Sequence, residues 1–148
     1  MNHLNRNRKQ RGTALVEFAV MLPLLTLLLV GVVDMGLIIH EHQLLQNAAR
    51  EGAHFSALPA NYVDPVNPTA TTAAIKQRVI DYLAQENITV NASDITINQG
   101  YPIAAGGLTA TASQVTVTYT RPLLIGGGSI LGFTSVVLTG QSTFRNLY

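Results

Sequence analysis

Sixteen consecutive residues from Phe18 to Val33 carry no charge, and apolar character resumes past Asp34 through Met35, Leu37, Ile38 and Ile39. Counted from Thr13 to Ile39 the stretch has 27 residues, which as an α-helix reaches roughly 40 Å at about 1.5 Å per residue. That exceeds the hydrocarbon core of a bilayer, about 30 Å, with room to tilt. The pattern predicts a membrane-spanning helix over 13–39. Pro23, Gly31 and Gly36 weaken helices in water but are tolerated in bilayers, where neighbouring helices re-satisfy the backbone. A buried core helix is the competing reading, and such helices seldom run this long without a polar face.

Beyond Ile39 the pattern turns amphipathic. Leu37, Leu44, Ala48 and Phe55 recur among His40, Gln43, Asn47, Arg50 and Glu51, so the helix is expected to continue out of the membrane over 40–58. Gly52 is the expected weak point and Pro59 the firmer stop. Residues 59–72 read as a loop through Pro59, Pro65 and Pro68. A second helix follows, capped by Thr71 or Thr72, with Ile75, Val79, Tyr82 and Leu83 on one stripe. Strands are expected at Ile88–Val90, Ile95–Ile97, Gln114–Arg121 and Ser135–Phe144. The clearest is Val115, Val117 and Tyr119 alternating with Thr116, Thr118 and Thr120, the period of a strand with one buried face. Gly100–Ser113 and Gly126–Ser129 read as connections. The fold class is α+β: a long apolar helix continuing into a small domain over 59–148, where a short helix packs on an antiparallel sheet.

Composition sharpens this picture. Charged residues make up only 11% of the 148, against about 25% in ordinary soluble domains. A basic leader over 1–12 holds Arg6, Arg8, Lys9 and Arg11 and no acid, leaving the remainder at −3. This argues against a nucleic-acid-binding surface on the folded part. Lys/Arg excess marks the cytoplasmic side, so the N-terminus is expected in the cytoplasm and residues 40–148 outside it. No small-x-small cleavage site follows Val33, unlike a conventional secretory signal. The absence of cysteine excludes disulfides, thiolate metal sites and a cysteine nucleophile.

Glu17 carries the candidate chemistry. A carboxylate near the start of a membrane helix is costly and usually has a partner. Gly12 lies five positions before it, behind the basic leader. The run resembles a class III-type signal cut by a prepilin peptidase. Cleavage between Gly12 and Thr13 leaves Thr13 with a free amine and Glu17 as the fifth mature residue. Such an amine can pair with a neighbouring subunit's Glu17, relieving two buried charges and fixing the stagger of the helices. The plainer reading is that Gly12 ends a leader and Glu17 meets the positive end of a helix. Asp34 reads either as a polar contact within the membrane or as a solvated residue at its outer boundary.

The blocks Arg11-Gly12-Thr13-Ala14-Leu15-Val16-Glu17-Phe18-Ala19, Leu22-Pro23-Leu24-Leu25, the positions Gly31, Asp34 and Gly36, and Gln46-Asn47-Ala48-Ala49-Arg50-Glu51-Gly52-Ala53 together resemble the TadE-like family of the bacterial tight-adherence (Flp pilus) apparatus. The resemblance covers residues 11 to about 55 and does not distinguish TadE from TadF or another paralogue. It implies an inner-membrane pseudopilin, processed by a prepilin peptidase, that works with other pilin-like subunits and the tight-adherence assembly machinery, in or at the base of a pilus.

Other motifs carry less. His40 and His42 flank Glu41, but i and i+2 do not share a helix face, so solvated residues are favoured over a metal site. Gly126-Gly127-Gly128-Ser129 lacks the lysine of a phosphate loop. Asn87-Ile88-Thr89 and Asn91-Ala92-Ser93 match a glycosylation sequon and read as turn and strand residues. No Ser, His and acid set stands out, so neither an enzyme nor a cofactor is expected. A minor pilin or pseudopilin leads; a membrane-anchored binding or adhesion module is the alternative.

Overall fold

The computed structural model describes residues 4–61, 68–105, 107–124 and 134–147. Its fold is α+β, with helices α1 (Leu4–Ser56) and α2 (Pro68–Gln85), short 3₁₀ turns at Pro59–Asn61 and Ala92–Asp94, and strands β1 (Ile95–Ala105), β2 (Leu108–Pro122) and β3 (Ser135–Arg145). The strands form one antiparallel sheet in the order β1-β2-β3. Two compact units emerge, Met1–Leu37 with Pro122–Thr134, and Ile38–Arg121 with Ser135–Tyr148.

α1 is a single helix of 53 residues, about 80 Å at 1.5 Å per residue. It starts at Leu4 and passes Gly12 and Thr13 without interruption. Pro23 removes one backbone donor, and Thr26 Oγ1 donates to the Leu22 carbonyl at 2.9 Å beside it. Gly52 neither ends nor weakens the helix, contrary to expectation; it is buried, and α1 runs on to Ser56. A Cβ at Gly52 would lie 2.5 Å from Val79 Cγ2. The glycine is therefore a place of close approach, which its sequence context among helix formers does not reveal.

In the second unit α1 buries Leu45, Ala48, Ala49, Gly52, Ala53 and Ser56. Of the expected stripe Leu37, Leu44, Ala48 and Phe55, Ala48 is fully buried, Leu44 and Phe55 are half-buried and Leu37 is exposed. Small side chains win because they let sheet and helix approach. At Gly140 of β3 a Cβ would sit 2.4 Å from the Leu45 carbonyl. β2 follows α1 from its C-terminal end backwards: Ser113 meets Ser56, Val115 meets Gly52, and Arg121 pairs with Glu41. Val115 and Val117 are fully buried and Tyr119 half-buried, as their alternation predicts.

α2 begins at Pro68, three or four residues earlier than the threonine caps suggested. Proline suits a first helical turn, where its missing N–H has no intrahelical role. The remaining prolines of the expected loop divide, Pro59 opening a 3₁₀ turn and Pro65 lying outside the described residues. Ile75, Val79 and Leu83 are fully buried, each contributing about 1.5–3 kcal/mol. Arg78 and Glu51 pair at 2.8 Å but are 56% and 36% exposed, so that ion pair contributes only about 0–1 kcal/mol. The apolar stripe, not the charge pair, holds α2 on α1.

Asn87, at φ 59°, closes α2. The Ile88 amide donates to Leu83 O and the Asn87 amide to Ala84 O, which together make a Schellman ending. Ile88–Val90, expected as a strand, has no regular structure; Ile88 and Val90 plug the core at 4% and 5% exposure. Gly100–Ser113, expected as a connection, is mostly strand. β1 and β2 pair from Ile95↔Val117 to Ala105↔Leu108, with Gly107 at φ +84° in the turn. Cross-strand pairing there outweighs the poor strand propensity of glycine and alanine. Gly126–Ser129 lies outside the described residues.

Candidate assembly surface

Within the first unit the surface of α1 is apolar and bare. Leu15, Val16, Phe18, Val20 and Met21 are all more than 60% exposed. Among the described residues α1 is the one helix long and apolar enough to cross a membrane, and none of its most apolar window is buried. In water such a surface is unsustainable. It needs lipid or other helices around it.

Glu17 stands in this surface, exposed. Thr13 precedes it by one helical turn, and positions i and i+4 share a face. Gly12 and Thr13 are likewise exposed, and a Cβ at Gly12 would meet nothing within 4 Å. The described residues provide no hydrogen bond or ion pair to the Glu17 carboxylate. An ionised carboxylate on such a helix costs up to about 3 kcal/mol in a bilayer, so it has reason to find a partner from outside the helix.

Asp34 is placed differently. It is 4% exposed, and its Oδ1 accepts the Leu124 amide at 3.1 Å. The carboxylate is therefore held by its own chain rather than by solvent at the boundary. Glu41, flanked by His40 and His42, pairs through Oε1 with Arg121 Nη1. The two side chains are 17% and 8% exposed, and Glu41 Oε2 is buried without a hydrogen bond. No group of three or more His, Asp or Glu able to hold a metal occurs among the described residues.

A second polar cluster closes the end of α1. Ser113 Oγ donates to Ser56 Oγ at 2.5 Å. Gln99 Nε2 lies 2.8–2.9 Å from Ser56 O, Ser56 Oγ and Asn61 O. Gln99 reaches them because the β1–β2 register shifts between Asn98 and Tyr101, a bulge that re-aims its side chain. Asn146 Nδ2 donates to Gln99 O at 2.8 Å, and the Leu147 amide to Ala57 O at 3.1 Å. Sequence reading missed Gln99, Ser56, Arg121 and Gly140. Two had a signal: a glycine inside a β-branched run marks close backbone approach, and Arg121 is an isolated cation in a long uncharged stretch.

No match was found among curated proteins or among solved structures. Residues 12–54 match the family model described as TadE-like protein, a span that opens at Gly12, includes Glu17 and Asp34 and stays wholly within α1. Over this segment, from Gly12 to the part of α1 packed under the sheet, the chain is similar to TadE-like proteins.

Proposed function

We propose that this protein is a minor pilin or pseudopilin of a tight-adherence pilus system, a structural subunit rather than an enzyme. The observation that carries the reading is Glu17, a lone exposed carboxylate on a bare apolar helix, one turn from Thr13. Cleavage between Gly12 and Thr13 by a prepilin peptidase creates a cationic amine at the start of the mature helix. In a bundle of such helices that amine and a neighbour's Glu17 compensate each other at low dielectric, where an unpaired charge is most costly. The pair also sets the axial offset between subunits. The remaining bare surface packs against other pilin-like helices or inner-membrane lipid, with residues 40–148 on the periplasmic or extracellular side. The TadE-like match supports this association with a pilus system.

The test combines processing and assembly. Intact mass of the protein from its native membrane should show loss of residues 1–12. The variant Glu17→Gln should insert and be processed, yet leave surface pili scarce. Normal pili with Glu17→Gln refute the ion-pair mechanism. Intact pili and adherence after deletion of the whole protein refute the pilus function and favour an anchored binding module.

A further inference from the structure

The connection between β2 and β3 has no charged residue from Pro122 to Thr134, and its sequence begins Leu123-Leu124-Ile125. Two hydrogen bonds hold its neck. The Leu123 amide donates to Thr134 O at 3.0 Å, and the Leu124 amide donates to Asp34 Oδ1 at 3.1 Å. Leu124 is 59% exposed although Asp34 beneath it is 4% exposed. All of these residues belong to the first unit. Asp34 immediately follows the uncharged run Phe18–Val33, so the neck meets α1 at the outer limit of the segment suited to hydrocarbon.

Two physical requirements meet here. A non-helical segment entering a region of low water content must bring its backbone donors already paired. The Leu123 and Leu124 amides are both paired within the chain. A carboxylate at that depth must also be compensated, and the Leu124 N–H does part of this for Asp34. A water-facing connection needs neither arrangement, and gains nothing from an exposed leucine tied to Asp34, whose chain neighbours Val33 and Met35 are themselves 45% and 57% exposed.

We propose that the neck where β2 leads into the β2–β3 connection is an interfacial membrane anchor: Leu123 and Leu124 enter the headgroup–acyl boundary beside the outer end of α1, with Asp34 as the pin. The ligand is the bilayer surface. The depth is interfacial, about 5–10 Å, because irregular backbone does not face lipid tails. The proposal rests on the reading of α1 as a membrane span.

The chain has no cysteine, so Leu124→Cys, Leu28→Cys and Thr143→Cys each create one labelling site, all at exposed positions. The full-length variants carry an environment-sensitive fluorophore in vesicles of phosphatidylethanolamine and phosphatidylglycerol. The expected result is that the Leu124 label is blue-shifted and loses most of its emission to lipid nitroxides near the headgroup. The Leu28 label should be quenched by nitroxides deep in the acyl chains, and the Thr143 label only by aqueous iodide. A Leu124 label quenched by iodide and not by lipid, with Leu28 still lipid-quenched, overturns the anchor alone. Loss of lipid quenching at both positions overturns the span and the anchor together. A blue-shifted Leu124 label without lipid quenching assigns the surface to a protein neighbour and overturns the proposal, as does equal lipid quenching at Thr143.

Discussion

At the scale of single residues, the tightest constraint is a hydrogen atom on Gly140. A methyl there would lie 2.4 Å from the Leu45 carbonyl carbon and oxygen, backbone atoms that no rotamer change can move. Gly140→Ala should cost about 2 kcal/mol by overpacking and lower the Tm of the second unit by about 10 °C, read by thermal denaturation in detergent. Gly100→Ala is the control: its Cβ would meet only Asn98 Oδ1 at 3.8 Å, and its Tm should scarcely change. The Glu41–Arg121 pair makes a different prediction. Both side chains are largely withdrawn from water, and removing one partner strands the other charge. Arg121→Met should destabilise by about 3 kcal/mol, whereas Glu41→Leu with Arg121→Met should recover much of that loss. A double-mutant cycle in urea measures it; additive losses would mean the two charges do not act as a pair.

The elements differ in how plainly they were written. The uncharged run that forms the first part of α1, the stripe of α2 and the Val-Thr alternation of β2 were legible, because burial demands periodicity and these segments supply it. The face of α1 in the second unit was not. Its buried members are mainly alanine, glycine and serine, whose small size matters only once a partner's distance is known. The hairpin of β1 and β2 was hidden for a related reason: its pairing energy is non-local, while the glycines and alanines of 100–113 signal only local flexibility. The candidate residues followed the same division. Gly12, Thr13, Glu17 and Asp34 stood out against an apolar background, whereas Gln99 is a common polar residue until the bulge turns it towards Ser56. That bulge makes Gln99 the hub that secures the end of α1. Gln99→Ala should remove hydrogen bonds worth about 1 kcal/mol each and leave Ser56 Oγ with fewer partners. Amide hydrogen exchange should then accelerate at Ala57 and Leu147, with Leu45 and Val115 unaffected.

For the whole molecule, the basic residues of 1–12 and the uncharged run after them together predict an orientation. A reporter active only beyond the inner membrane, fused after Tyr148, should be active, and activity from a cytoplasm-only reporter instead would reverse the topology. The packing of α1 under the sheet has a further consequence in time. Gln46 Oε1 accepts the Gln141 amide from 95 positions downstream, and Gly140 closes on Leu45. At roughly 5–20 residues per second of synthesis, the small-residue face of α1 waits about 5–20 s between its own emergence and the arrival of the strand that covers it. During that interval the nascent chain presents this face uncovered to whatever quality-control factors and proteases it meets. Maturation of this protein is thus a race between strand delivery and degradation, and a slowed ribosome upstream of β3 would lower its yield without altering a single native contact.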